Sequence, residues 1–115
     1  MAHEQVSVKV NASVDDGVAP LVSALSRCDL VQTVDSCEGQ PSSEAYVYFT
    51  YDASAGECTS FVESLSRAIA VHLRSCCDYS LQMEWIAGAE RPLVKIATAR
   101  ALIPKVARAV ASALK

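Results

Sequence analysis

The sequence predicts a two-layer α+β domain in which helices cover one face of a largely antiparallel β-sheet. Two patterns support this prediction. Short segments alternate apolar and polar residues, as half-buried strands do, and longer segments repeat apolar residues at helical spacing. Along the chain these segments follow the order βαββαββα. The first six elements are those of a ferredoxin-like core, which an added strand and a C-terminal helix extend. Right-handed crossovers would place the helices on one face of the sheet.

The first strand is predicted where Val6, Val8 and Val10 alternate with polar residues. Asp15-Asp16-Gly17 supplies a turn and a helix N-cap. The helix that follows has Pro20 in its first turn, where the missing N–H of proline costs least. Its apolar stripe consists of Val18, Leu21, Val22, Leu25 and Cys28.

The second strand, Leu30 to Val34, is predicted to end in a polar loop, Ser36 to Gln40. The third strand runs from Ala45 to Tyr51 and has strong alternation. The residues expected on its helix-covered face are Ala45, Val47, Phe49 and Tyr51. Tyr46 and Tyr48 belong to the opposite face.

A long second helix is predicted from about Glu57 to Cys76, followed by a strand from Tyr79 to Ile86. A fifth strand, Leu93 to Ala97, leads to the last helix, Arg100 to Leu114. The inward stripe of the long helix consists of Cys58, Phe61, Val62, Leu65, Ala68, Ile69, His72, Leu73 and Cys76. That of the last helix consists of Ile103, Val106, Ala107, Val110, Ala113 and Leu114.

Composition limits the class of protein. Hydrophobic residues make up 51% and charged residues 20% of 115 residues, which excludes a disordered chain and is enough for one core. We find no internal boundary or repeat, so we predict a single domain, residues 1–115.

No apolar run reaches the roughly 18–20 residues of a membrane span, and Met1 to Gln5 does not look like a signal peptide. We therefore expect a cytoplasmic protein that makes no membrane contact.

The chain has five cysteines, an odd number. It contains no Cys-x-x-Cys and no pair of histidines at ligand spacing. In a reducing compartment these features favour five free thiols over a disulfide framework or a zinc site. We predict no metal site, and the sequence identifies no cofactor.

The segment Asp35-Ser36-Cys37-Glu38-Gly39-Gln40 combines a thiol, two carboxylates, a hydroxyl and a glycine. One interpretation is that Cys37 is a small residue packed at a strand end. The other is that the segment forms a ligand-binding loop, in which the glycine backbone approaches a ligand closely. Negative charge on Asp35 and Glu38 disfavours a thiolate, so a binding role is favoured over a nucleophile. Whether the protein is an enzyme stays open.

Charge is distributed unevenly. The net charge is −3, yet residues 91–115 contain six bases and no acid. Arg100, Lys105 and Arg108 are therefore candidates for binding an anion such as a phosphate of RNA or of a nucleotide. The alternative is an ordinary solvated helix face.

The two tyrosines predicted on the far face of the sheet, Tyr46 and Tyr48, also allow two interpretations. Aromatic residues on a sheet stack the bases of single-stranded RNA. They equally pack against a second subunit, and Ile86 on the same side favours that interpretation. From this pattern we predict a homodimer.

Two runs of the sequence resemble the wybutosine-synthesising tRNA methyltransferase-like family. The first, Val14 to Val22, is similar to a family helix that is preceded by Asp and contains a Pro-Leu-Val-type segment. The second, Gln32 to Gly39, is similar to a Thr-x-x-Ser-Cys-x-Gly-Arg loop, and its matching residues are Thr33, Ser36, Cys37 and Gly39. A third run, Leu93 to Arg100, is faintly similar to a later strand and helix. The resemblance covers about a third of the chain. Glu38 and Gln40 stand where the family has a small residue and arginine.

The resemblance implies a role related to tRNA modification, with Ser36, Cys37 and Gly39 lining a functional loop. We therefore hypothesise a small protein of RNA modification, or of RNA or nucleotide binding, that uses the loop from Ser36 to Gln40. The alternative hypothesis is a non-catalytic homo-oligomeric module.

Overall fold

The computed structural model describes residues 5–7, 13–39, 44–73, 79–85, 87–88 and 90–114. The strands are β1 (Gln5–Ser7), β2 (Ser13–Asp15), β3 (Val31–Cys37), β4 (Glu44–Tyr51), β5 (Tyr79–Glu84) and β6 (Leu93–Ala99). The helices are α1 (Ala19–Leu25), α2 (Ala55–Leu73) and α3 (Ile103–Ala113). Short 3₁₀ turns, Asp16–Val18 and Arg100–Leu102, lead into α1 and α3.

The main sheet has the strand order β3-β4-β6-β5, and every neighbouring pair is antiparallel. The three helices pack on one face of this sheet, with α3 between α1 and α2 and in contact with both. The predicted two-layer α+β class is therefore confirmed. Among the described residues, no helix is long and apolar enough to span a membrane.

The N-terminal strand differs from the prediction. We expected it to pair inside the main sheet, as in a ferredoxin-like core. Instead β1 pairs with β2 in a separate two-stranded sheet. The described main sheet consequently has four strands rather than five. Pairing with a segment so close in the chain closes only a short loop, which costs little chain entropy. Val8 and Val10 lie outside the described residues.

The core follows the predicted alternation and stripes closely. On β4, Ala45, Val47 and Phe49 are fully buried. The buried residues of the α1 segment are Val18, Ala19, Leu21, Val22, Ala24 and Leu25, and those of α3 are Ile103, Val106, Ala107, Ala109 and Val110. Because α3 has a helix on each side as well as the sheet beneath it, its buried surface is wider than one stripe. Ala113, predicted inward, is exposed at its end.

Helix α2 is buried along a narrower stripe, Cys58, Leu65 and Ile69. It starts two residues before the predicted Glu57. The Ser54 hydroxyl accepts a hydrogen bond from the Glu57 N–H (3.2 Å) and donates one to the Glu57 carboxylate (2.9 Å), which caps the first turn.

The prediction that His72 belongs to the inward stripe of this helix was wrong. His72 lies at the margin of the stripe and is exposed, with Nδ1 2.9 Å from the Ala68 carbonyl oxygen.

We predict that Leu65→Ala lowers the free energy of unfolding by about 2–5 kcal/mol, because Leu65 is fully buried between α2 and the sheet. Urea denaturation measures this loss. Val71→Ala on the same helix is the matched control. Val71 is 72% exposed, so its truncation should change stability by less than about 0.5 kcal/mol. Equal effects of the two substitutions would contradict the burial of the α2 stripe.

Candidate functional site

Strand β3 extends through part of the segment that we predicted as a loop. Asp35 pairs with Tyr48, Ser36 with Val47 and Cys37 with Tyr46. The strand therefore ends at Cys37 rather than at Val34. Of the predicted loop, Glu38 and Gly39 follow the strand, and Gln40 lies outside the described residues.

A β-bulge at Val34 decides which way these side chains point. Thr33 pairs with Phe49 and Asp35 with the next residue of β4, so Val34 is an extra residue in the strand. Because strand side chains alternate with a period of two, one extra residue exchanges the two faces beyond it. Asp35 and Cys37 consequently share the face of Tyr48 and Tyr46, and Ser36 is directed to the helix layer.

The face opposite the helices carries a cluster of two tyrosines and a lysine. The ring centroids of Tyr46 and Tyr48 are 5.4 Å apart, with an edge-to-face angle of 75°. Lys95 of β6 is opposite Tyr48, and its Nζ lies 5.3 Å and 5.5 Å from the centroids of Tyr46 and Tyr48. Both distances are within the range of cation–π attraction. We call this surface, with Asp35 and Cys37 beside it, the tyrosine face.

A shallow pocket of about 400 Å³ adjoins the cluster. Its lining residues are Tyr48, Gln82, Met83, Glu84, Leu93 and Lys95. The volume is in the range of small-ligand sites, and the lining offers an aromatic ring, aliphatic surface, an amide, a carboxylate and an ammonium group. This combination fits a flat ligand with hydrogen-bonding edges better than a simple ion.

The charge of the tyrosine face limits its partners. Among the described residues of this face, Lys95 is accompanied by three carboxylates, on Asp35, Glu44 and Glu84, all of which are exposed. A surface with one cation and three anions repels a long polyanion at low salt. The face therefore suits a short or single-residue ligand, held by stacking and hydrogen bonds more than by charge.

Glu38 connects three segments of the fold. Its Oε1 accepts a hydrogen bond from the Gly17 N–H (2.8 Å) and lies 3.5 Å from a guanidinium nitrogen of Arg100. The side chain is only 13% exposed. It thus joins the end of β3 to the turns that begin α1 and α3. A side chain at Gly17 would clash, since an added Cβ would lie 2.8 Å from the Cβ and Oε1 of Glu38.

Gly39 closes the turn after Glu38. Its φ of 75° lies in the left-handed region, where a side chain is strained. Its N–H donates to the sulfur of Cys37 over 3.4 Å. The Ser-Cys-Glu-Gly segment is therefore held by its own backbone and by Glu38, and this fixes the position of the thiol at the end of β3.

The predicted anion-binding residues do not form one group. Arg100 pairs with Glu38, close to the end of β3. Lys105 and Arg108 are exposed on the side of α3 opposite its buried residues, which is the outer surface of the helix layer. The tyrosine face is on the other side of the molecule. The structure therefore places Cys37 on a different surface from Lys105 and Arg108.

Sequence reasoning missed Lys95 and Gln82 as members of the site. The signal for Lys95 was present, because a lysine between Val94 and Ile96 interrupts an apolar strand and must occupy the face opposite to theirs. For Gln82 the alternation of its strand indicated the face, because Gln82 is four residues before Ile86. Its position opposite Lys95 depends on the pairing of β5 with β6, which the sequence did not indicate.

Three free cysteines are described: Cys28 and Cys37 are partly exposed and Cys58 is buried. Burial raises the pKa of the Cys58 thiol, and its sulfur lies 4.0 Å from that of Met83. Cys76 and Cys77 lie outside the described residues. Within the described part of the chain, no three His, Cys, Asp or Glu side chains are arranged to hold a metal ion.

Comparison of the chain with protein-family models, with curated proteins and with solved structures gave no match.

We predict that Glu38→Ala lowers the free energy of unfolding by about 1.5–3 kcal/mol, because it removes a charged acceptor from a half-buried N–H. Arg100→Ala should cost less than about 1 kcal/mol, since Arg100 is 45% exposed and Glu38 keeps its bond to Gly17. Urea denaturation of both variants measures the difference. A loss for Arg100→Ala as large as that for Glu38→Ala would mean that the ion pair, and not the backbone hydrogen bond, dominates.

We also predict that native Cys37 reacts with iodoacetamide well before Cys58. Cys58 is fully buried, and its raised pKa lowers the fraction of reactive thiolate at any given neutral pH. Mass spectrometry after a short labelling pulse gives both rates. Labelling in urea is the control, and it should make the rates similar. Equal rates in the native state would contradict the buried position of Cys58.

Proposed function

We propose that the protein is a nucleotide- or RNA-binding domain that binds nucleobases on its tyrosine face. The observation that carries this proposal is the cluster of Tyr46, Tyr48 and Lys95 on the two inner strands of the sheet. Sheet-based binders of single-stranded RNA stack bases on aromatic side chains of this kind.

Each element of the cluster has a chemical role in this proposal. The tyrosine rings provide stacking surfaces, and the ammonium group of Lys95 is available for a phosphate or for a base carbonyl. Gln82 and Glu84, which line the adjoining pocket, would accept hydrogen bonds from amino groups of a base. The carboxylates Asp35 and Glu44 disfavour a long backbone on this face. We therefore propose a mononucleotide or a short single-stranded segment as the ligand.

The resemblance to the tRNA methyltransferase-like family supports a role in RNA modification. The Ser-Cys-x-Gly segment that carries the resemblance ends β3, and Cys37 pairs with Tyr46 on the same face. The sequence motif and the aromatic cluster therefore adjoin one another. We propose that Cys37 borders the bound base, and we assign it no catalytic step.

The second candidate is the homodimer predicted from the sequence, assembled through the same face. Leu93 adds apolar surface beside Tyr48, which favours a protein partner. Ile86, the third residue of that prediction, lies outside the described residues. Light scattering distinguishes the candidates, because a dimer has twice the chain's mass of 12.3 kDa.

The binding proposal is tested by titration with a single-stranded RNA hexamer and with AMP, followed through the fluorescence of Trp85. This tryptophan is the only one in the chain, is 56% exposed and directly follows Glu84 of the pocket. Tyr48→Ala should weaken binding by about 1–3 kcal/mol, the usual contribution of one stacked base, whereas Tyr48→Phe should bind nearly as wild type. Lys95→Gln should also weaken binding.

Lys105→Gln is the matched control for Lys95→Gln. It makes the same change in charge on the outer helix surface and should leave binding unchanged. Two outcomes would refute the proposal: no saturable signal with either ligand, or equal affinity of wild type and Tyr48→Ala. The homodimer would be supported instead if the wild-type protein has twice the mass of one chain, binds no RNA, and becomes a monomer on the substitution Tyr48→Ala.

A further inference from the structure

A second surface with binding chemistry lies between α1 and α3, on the outer side of the helix layer. It is a groove of about 320 Å³, lined by Pro20, Ser23, Ala24, Arg27, Pro104, Ala107, Arg108 and Ala111. The buried alanines Ala24 and Ala107 lie at the contact of the two helices. The groove therefore has an apolar floor and an arginine from each side.

The charges of the groove are unbalanced. Arg27 and Arg108 are both exposed and neither forms an ion pair with a described residue. No carboxylate is among the described residues that line the groove. Arg91 and Arg100 differ in this respect, since they pair with Asp52 at 2.9 Å and with Glu38 at 3.5 Å. Two like charges on one groove repel each other, so an anion between them is stabilised by both.

We propose that this groove binds a phosphate group through Arg27 and Arg108. A guanidinium presents a planar fork of donors that matches two oxygens of a phosphate, and two such forks bind one phosphate from both sides. The hydroxyl of Ser23 is a further donor on the lining. Lys105, one turn before Arg108 on the exposed side of α3, adds positive potential.

The ligand class follows from the size and the floor of the groove. Its volume exceeds that of a bare phosphate, and the alanines and prolines can contact an aliphatic or sugar group attached to it. Both a phosphate monoester and a phosphodiester of an RNA backbone provide this chemistry. The site is on the opposite side of the molecule from the tyrosine face, so it does not depend on the proposed function.

The test uses phosphates without an aromatic group, which have nothing to stack on the tyrosine face. The full chain is titrated with inorganic phosphate and with glycerol 1-phosphate at constant ionic strength. Heteronuclear NMR follows the side-chain Nε–Hε signals of the arginines. We expect saturable shifts of the Arg27 and Arg108 signals. In the double variant that combines Arg27→Gln and Arg108→Gln, the affinity for glycerol 1-phosphate should fall roughly 10- to 150-fold.

Arg67→Gln is the matched control, because Arg67 is an exposed arginine of α2 outside the groove. It should bind as wild type. Titration of the Tyr48→Ala variant with a 5′-hydroxyl RNA hexamer identifies the source of the phosphate. If the hexamer binds and its binding needs both groove arginines, the ligand is an RNA backbone. If only glycerol 1-phosphate binds, the ligand is a phosphate monoester. The proposal is overturned if no phosphate compound shifts the two arginine signals. It is also overturned if Arg67→Gln weakens binding as much as the double variant.

Discussion

The carboxylate of Glu38 connects the parts of this fold that the chain order leaves apart. One oxygen accepts the N–H of Gly17 and faces the guanidinium of Arg100, so the end of β3 is tied to the start of two helices. A mostly buried carboxylate is stable only when donors replace the water that it has lost. The end of β3, directly after Cys37, is therefore held by an interaction that lies outside the tyrosine face.

The sequence was most informative where one periodicity applied without interruption. The alternation of β4 predicted its two faces correctly, and the stripes of α1 and α3 predicted most of the buried residues of those two helical segments. The prediction failed where the position of a side chain depends on residues that are distant in the sequence. The bulge at Val34 depends on the register with β4, and composition gives no sign of it. Glu38 looked like a charge that acts on a neighbouring thiol, because Gly17 and Arg100 are distant from it in sequence.

The two layers of the fold divide its chemistry. Aromatic rings and hydrogen-bonding groups lie on the sheet, beside carboxylates, while arginines without carboxylate partners lie on the helices. This division explains how a chain with a net charge of −3 still presents a locally basic surface. It also follows from the order of elements. The last 25 residues, which carry no acid, contribute an inner strand and the central helix, so their cations reach both layers.

The bulge in β3 has a consequence for the behaviour of the protein at high concentration. Among the described strands, β3 is an outer strand of the main sheet, and outer strands present backbone donors and acceptors that recruit strands of other chains. Its first part is rich in β-branched residues, a composition that favours such recruitment. The extra residue breaks the flat row of backbone groups and increases the local twist. We therefore expect the irregularity that directs Cys37 toward the tyrosines to make this edge less prone to aggregation.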